Sequence, residues 1–217
     1  IDAMAASASA VAEYQTWLSG HKQVEIRTAG DDQWKNLDFG DSGLASIAYD
    51  DSTWPSIKLP AMFESMLGEF DGAVWFRKTI DLPGELKGKN MILDLGPIDD
   101  MDRTYFNGEL VGATETAGYW QIGRKYEVPG RLIREGKNVI SVRVLDTQGG
   151  GGIWGESGSM RFVTRDSKMF NSSIEGDWKY QPVAELDGNI FYVFNLSKQD
   201  FLKQTRPKSL GPNSPSA

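Results

Sequence analysis

The chain has 217 residues, with 23 Lys and Arg against 30 Asp and Glu and a formal net charge of −7. It has no cysteine and a single histidine, His21, which excludes disulfides, cysteine-based zinc sites and multi-histidine metal sites. The acidic balance predicts no nucleic-acid partner, because no surplus of basic side chains is available to neutralise phosphates. No apolar stretch reaches the length of about 20 residues that a spanning helix needs, so we expect no membrane partner either.

The first segment predicts an amphipathic helix over residues 3–19, because apolar residues between Val11 and Leu18 recur at helical spacing and Gly20 follows. The N-terminus has no signal-peptide pattern. It has no evident initiator Met either, which predicts a mature or excised fragment. Residues 1–30 are predicted to form this helix and a connector.

After Gly72 the sequence changes to short β-branched and aromatic runs separated by Gly and Asn turns. Asn107-Gly108 predicts a β-hairpin, and residues 138–145 alternate apolar and polar as a half-buried strand does. Short strands at this spacing favour a β-sandwich over an α/β sheet. The predicted strands cover residues 74–80, 91–95, 103–106, 138–145, 160–163, 178–181 and 190–193.

Two motifs have the spacing of a catalytic or cofactor site without its context. Gly-Asp-Ser at residues 40–42 matches a serine-hydrolase signature, but Ser42 needs a histidine base and the chain offers only His21 upstream. We expect an ordinary turn there. Residues 150–155 fit G-x-G-x-x-G, yet no helix pattern follows to hold a pyrophosphate, so no cofactor is predicted.

The glycine run is interpreted instead as a loop for close backbone approach to a ligand or a neighbouring domain, with Trp154 displayed at its tip. A simple flexible connection is the alternative.

Three carboxylates, Asp99, Asp100 and Asp102, lie between two predicted strands. Ordinary turn hydrogen bonding is the first interpretation, contact with a sugar or a neighbouring domain the second, and a Ca²⁺ site the third. Paired carboxylates could also serve a glycosidase, but the sequence does not give their separation. The EF-hand spacing is not met, so no metal is assigned.

Tyr119, Trp120, Arg124 and Trp154 could form a carbohydrate platform, because aromatic faces pack on sugar C–H surfaces and charged groups can address hydroxyls. The alternative is that these tryptophans fill the core. The predicted ligand-binding residues are Asp99, Asp100, Trp120, Arg124 and Trp154.

Residues 50–60, 74–83, 106–112 and 136–144 resemble the sugar-binding-like jelly roll of glycoside hydrolase family 2. Residues 95–102 and 146–155, the acidic and glycine-rich pair, resemble the galactose-binding-type domain of sialate O-acetylesterases more specifically. The resemblance covers roughly residues 31–181. It implies a mostly β, galactose-binding-like jelly-roll sandwich with an N-terminal α-helix, spanning residues 31–196, and a Pro-rich linker over residues 197–217.

The esterase resemblance implies an accessory domain of a bacterial carbohydrate esterase that removes acetyl esters from sialic acid or other glycans. The implied partners are a glycan substrate and an SGNH-type esterase domain of the same polypeptide, in the periplasm or outside the cell. The family's nucleophile and histidine blocks are not found in this sequence, so no catalytic residue and no cofactor is assigned to it.

The alternative is a carbohydrate-binding module or the N-terminal sugar-binding-like domain of a family 2 glycoside hydrolase. A structural spacer without a ligand is a third hypothesis.

Overall fold

Two curled antiparallel β-sheets dominate the computed structural model, which describes residues 2–26, 30–35, 37–165, 169–197 and 201–207. The mostly β sandwich with an N-terminal α-helix is confirmed. The helices are α1 (Asp2–Gly20) and α2 (Glu64–Leu67). The strands are β1 (Lys22–Glu25), β2 (Ser56–Leu59), β3 (Ala61–Met62), β4 (Gly72–Leu82), β5 (Met91–Asp99), β6 (Met101–Phe106), β7 (Glu109–Thr114), β8 (Gly123–Val128), β9 (Gly136–Asp146), β10 (Gly152–Ile153), β11 (Arg161–Thr164), β12 (Asn171–Ser173), β13 (Gly176–Asp187) and β14 (Ile190–Val193).

The larger sheet has the order β1-β14-β13-β4-β9-β6-β7. Strand β13 is long enough to pair with two strands along one edge: β2 pairs with its first residues and β14 with its last. The smaller sheet has the order β12-β11-β5-β10-β3, with β8 on the far side of β5. Strands that are neighbours in a sheet are mostly distant in the sequence, so long connections cross between the sheets.

The core between the sheets follows from the two-residue period of the strands. Val74 and Phe76 of β4 are fully buried against residues of the second sheet, including Leu93 of β5 and Phe162 of β11. Each such side chain contributes about 1.5–3 kcal/mol relative to an exposed one.

A second core covers the outer face of the larger sheet. Ala73 and Trp75, which alternate with the inward residues of β4, pack there with Phe39, Leu44 and Trp54 from the segment before β2. The central strands are therefore buried on both faces.

This covering segment corrects the prediction that residues 138–145 form a half-buried strand. The polar positions of β9 are buried: Ser141 accepts a hydrogen bond from Arg77 at 3.0 Å, and Arg143 donates to the carbonyl of Leu37 at 3.2 Å. The Arg77 guanidinium also pairs with Asp51 at 2.8 Å. Arg143 thus binds the covering segment directly and Ser141 binds it through Arg77, since a buried polar group without a partner is costly.

The predicted hairpin at Asn107-Gly108 is confirmed. Both residues have positive φ, 51° and 89°, and Phe106 pairs with Glu109 across the turn.

The predicted domain boundaries stay a prediction, although both flanking segments contribute to the sandwich. Strand β1, from the predicted connector, pairs with β14, and Phe201, from the predicted linker, is buried with its ring 5.7 Å from that of Tyr180. The Pro-rich end, residues 208–217, lies outside the described residues. Within the described part of the chain, no helix has the length and apolar character to cross a membrane.

Candidate functional site

The predicted site residues meet at one end of the sandwich. Asp99 ends β5 and Asp100 separates it from β6, Trp120 lies in the β7–β8 connection, and Trp154 follows β10 directly. Strand β10 pairs with β5 beside Asp99, and the Trp154 amide donates to the carbonyl of Pro97 at 3.1 Å. Antiparallel pairing therefore brings together loops that are distant in sequence.

A buried ion pair between Arg124 and Asp102 lies beneath these loops. The Arg124 Nε donates to Asp102 at 2.9 Å, and the two side chains are 2% and 0% exposed. Asp102 also accepts hydrogen bonds from the hydroxyls of Thr104 at 2.7 Å and Tyr126 at 2.9 Å. Burial raises the pKa of Asp102, while these donors and the Arg124 charge oppose that rise. A buried pair of this kind is tolerated because its remaining polar atoms are also paired.

Arg124 fixes the loops rather than presenting its charge to solvent. Its Nη2 donates to the main-chain oxygens of Ile98 and Asp100 at 2.9 and 2.8 Å. Its Nη1 donates to the carbonyl oxygens of Tyr119, at 2.8 Å, and Ile122. The contact of Arg124 with a ligand stays a prediction, and the observed hydrogen bonds give it a positioning role.

The aromatic patch, formed by Tyr119, Trp120, Ile122 and Trp154, lies on the loops that Arg124 fixes. The Trp120 and Trp154 rings stack with centroids 5.9 Å apart and an interplanar angle of 29°, and the Trp154 indole N–H donates to the Trp120 carbonyl at 3.1 Å. Tyr119, Trp120 and Ile122 are 48%, 41% and 56% exposed. Clustered exposed apolar side chains mark an interaction surface.

The carboxylate cluster consists of Asp99, Asp100 and Asp146, with one oxygen of each within 4.8 Å of the other two. Asp102, predicted with the first two, belongs to the Arg124 pair instead. Sequence reasoning missed Asp146, which ends β9, because β6 and β9 are not consecutive. Their register places Leu145 opposite Met101, and only that pairing brings Asp146 beside Asp100.

Four carboxylates accept hydrogen bonds from four amides of the loop after β9. The Thr147 amide donates to Asp100 at 3.2 Å and the Gln148 amide to Asp146 at 3.2 Å. The Gly151 amide donates to Glu64 at 2.9 Å, and the Gly149 amide to Asp71. The acidic residues and the glycine-rich loop thus form one local structure. Asp100 thus makes a structural hydrogen bond, but to a loop 47 residues away rather than within its own turn.

The glycines are needed for packing inside this domain. A Cβ at Gly151 would lie 2.2 Å from Cζ of Phe63, and one at Gly152 would lie 2.6 Å from the carbonyl oxygen of Ala61. The predicted close approach of the glycine run is found, but the partner is the domain's own β3–α2 segment.

Burial raises the pKa of two carboxyls in the cluster far above the ordinary value for Asp. The pKa of Asp146 rises to about 8, first through burial and then through the charge of Asp71. The pKa of Asp99 rises to about 7, through burial and then through its hydrogen bond to Asp100 and the charge of that residue. The cluster therefore disfavours further negative charge and favours a cation.

The carboxylates do not have the surroundings of a glycosidase pair. Asp146 is fully buried and Asp100 is 8% exposed, so neither faces an open cleft where a glycosidic bond could lie.

The Gly-Asp-Ser motif has a structural role. Ser42 begins a 3-10 helix, and the buried Asp41 accepts a hydrogen bond from the Trp75 indole at 2.7 Å. His21 lies at the end of α1, where its Nδ1 contacts the Trp17 carbonyl at 2.8 Å and its ring packs on Phe194.

No family model matches the chain. A β-glucuronidase from Formosa agariphila is 27% identical over 130 residues, which cover 54% of this chain and 13% of that protein. Among solved structures, a glycosyl hydrolase family 2 member from Bacteroides cellulosilyticus is 24% identical with a TM-score of 0.42, covering 50% of this chain and 17% of that one. A β-glucuronidase from Bacteroides uniformis is 22% identical with a TM-score of 0.44, covering 75% and 18%. The chain thus spans less than a fifth of the length of each.

The predicted membership in the sialate O-acetylesterase family is wrong, and so is the esterase activity it implied, because the curated relative is a β-glucuronidase. The comparisons support the alternative, a sugar-binding-like domain of the family 2 glycoside hydrolase type. The acidic and glycine-rich stretches suggested the wrong family. They lie together because loop amides donate hydrogen bonds to carboxylates, and this local arrangement does not identify a family.

Proposed function

We propose that this chain is the sugar-binding-like β-sandwich of a family 2 glycoside hydrolase of the β-glucuronidase type, and that its aromatic patch contacts the glycan. The observation that carries the proposal is the exposed ring of Trp120, stacked on the half-buried ring of Trp154, on loops that Arg124 fixes. The 27% identity to a β-glucuronidase supports β-glucuronide hydrolysis as the activity of the longer protein to which this chain would belong.

The patch suits the apolar face of a sugar ring. Trp120 presents part of its indole to solvent and stacks on the ring of Trp154. The hydrogen bond from the Trp154 indole N–H to the Trp120 carbonyl holds the two residues together. Because Arg124 anchors the loop through the carbonyls of Tyr119 and Ile122, little ordering entropy is lost when a ligand binds.

The charge of the surroundings selects which part of a glycan the patch contacts. The chain carries a net charge of −7, and the carboxylate cluster lies beside Trp154 through the β5–β10 pairing. A uronate carboxylate placed there would be repelled. The patch therefore contacts a neutral sugar unit of the substrate or the group attached to it, and the rest of the polypeptide recognises the uronate.

Tryptophan fluorescence titrations with neutral β-linked oligosaccharides and with methyl β-glucuronide test this assignment. Trp120→Ala and Trp154→Ala should each weaken binding of the preferred oligosaccharide by about tenfold, the worth of one aromatic contact. Leu110→Ala is the matched control, because Leu110 is 47% exposed beside the Asn107-Gly108 turn, at the opposite end of β7 from Thr114. Equal affinity of both tryptophan variants and the wild type would overturn the proposal.

Hydrolysis of a chromogenic β-glucuronide tests whether catalysis belongs to the rest of the polypeptide and not to this chain. The complete polypeptide should hydrolyse it and the isolated chain should not. Turnover of a chromogenic acetate by the isolated chain, abolished by Ser42→Ala, would contradict the accessory role.

A further inference from the structure

A buried carboxylate oxygen without a hydrogen-bond partner lies in the carboxylate cluster. Asp146 is fully buried and groups with Asp99 and Asp100. Its Oδ1 accepts a hydrogen bond from the Gln148 amide at 3.2 Å, whereas its Oδ2 has no partner among the described residues. A buried ionised oxygen in this situation is costly unless a positive group is present.

Glu64 repeats the pattern next to the cluster. Its Oε1 accepts a hydrogen bond from the Gly151 amide at 2.9 Å, and its Oε2 is buried without a partner in the part of the chain described. Loop amides therefore occupy one oxygen of each carboxylate and leave the other available.

The guanidinium of Arg124 makes no direct hydrogen bond to this group of oxygens, although its charge opposes the rise in the pKa of Asp99. Its Nε donates to Asp102, and its two terminal nitrogens donate to main-chain carbonyls. The unpartnered Oδ2 of Asp146 is thus available to a bound ion.

We propose that Asp99, Asp100 and Asp146 bind a Ca²⁺ ion. Ca²⁺ takes carboxylate oxygens at 2.3–2.6 Å, so two oxygens on opposite sides of the ion are separated by up to about 5 Å. The separations within 4.8 Å observed here fit that geometry. Mg²⁺ demands near-ideal octahedral geometry and retains several water molecules, which makes it the poorer occupant of a buried site.

The site goes beyond the proposed glycan contact and does not depend on it. Bound Ca²⁺ would hold β5, the start of β6 and the end of β9 together, next to the strand that leads into Trp154. The aromatic contact and the metal site are measured separately, one with sugar and the other with metal alone. Only the preference for a neutral sugar depends on the charge of the cluster, which a bound Ca²⁺ would reduce.

Calorimetric titration of the EDTA-treated chain with CaCl₂ and MgCl₂, together with thermal melts, tests the site. We expect one Ca²⁺ per chain with a Kd of about 1 mM or tighter, binding of Mg²⁺ at least about tenfold weaker, and a Tm about 2 °C or more higher in 5 mM CaCl₂. Asp146→Asn and Asp99→Asn should each weaken Ca²⁺ binding at least about tenfold and abolish the Tm shift.

Asp81→Asn is the matched control. Asp81 is an exposed carboxylate at the far end of β4, nine residues and about 30 Å along the strand from Gly72, which pairs with Asp146. This variant should bind Ca²⁺ as the wild type does. If Asp146→Asn does not fold, Asp99→Asn carries the test alone. A wild-type chain without heat of binding and without a Tm shift, or cluster variants that bind Ca²⁺ normally, would overturn the proposal.

Discussion

Replacing Gly151 by alanine tests whether the glycine run exists for packing within the sandwich. The new Cβ would lie 2.2 Å from Cζ of Phe63 and 2.6 Å from Cβ of Asp146, whereas carbon atoms in contact are normally about 3.5–4.0 Å apart. Phe63 is fully buried and packs on Phe70 at 5.8 Å, so its ring cannot move without disturbing the core.

Overpacking of this severity costs about 3 kcal/mol, against a gain of roughly 0.4–1 kcal/mol from the reduced entropy of the unfolded chain. We therefore expect Gly151→Ala to lower the free energy of unfolding by about 2–3 kcal/mol.

Urea denaturation of Gly151→Ala and Gly150→Ala side by side provides the measurement. A Cβ at Gly150 would lie 3.0 Å from the terminal methyl of Met62, the flexible end of a side chain, so this control should change stability by less than about 1 kcal/mol. If the two variants have the same denaturation midpoint, the glycine run is not held by these contacts and the packing argument is refuted.

Two further predictions concern buried charges. Burial raises the pKa of Glu185 from 4.5 to about 7. Protonated Glu185 therefore stabilises the fold fully below pH 4.5, and the free energy of unfolding falls by about 3 kcal/mol as the pH rises through 7. Glu185→Gln should remove that part of the pH dependence between pH 5 and 8 in urea titrations, and an unchanged slope would contradict it. Asp102→Asn leaves the Arg124 charge unpaired at 2% exposure and should cost about 3–5 kcal/mol, with the indole signals of Trp120 and Trp154 shifted in NMR spectra; a loss below about 1 kcal/mol would show that Arg124 does not depend on Asp102.

Local patterns predicted the local structure. The Asn107-Gly108 turn, the N-terminal helix and the strands around Val74 and Trp178 follow from turn chemistry and residue periodicity, and the structure has each of them. These features depend on a few neighbouring residues, so one sequence suffices to find them.

The rest depended on contacts between distant segments. The alternating pattern of β9 indicated one exposed face, but residues 37–54 cover it and pair with its polar side chains. Asp146 lies in the carboxylate cluster because of the β6–β9 register. Arg124 is buried, and it pairs with Asp102 while donating hydrogen bonds to several loop carbonyls. Such arrangements are decided by the order of the strands in the sheets, which periodicity does not encode.

The aromatic patch is tested most directly by NMR observation of the indole N–H signals of Trp120 and Trp154 while neutral β-linked oligosaccharides are added. We expect saturable shifts of these two signals. The signal of the buried Trp178, whose indole donates to the Ile174 carbonyl at 2.8 Å, should stay unmoved as an internal control. Indole signals of Trp120 and Trp154 that stay fixed at saturating sugar, in a chain whose spectrum shows it to be folded, would contradict the assignment of this surface to glycan binding.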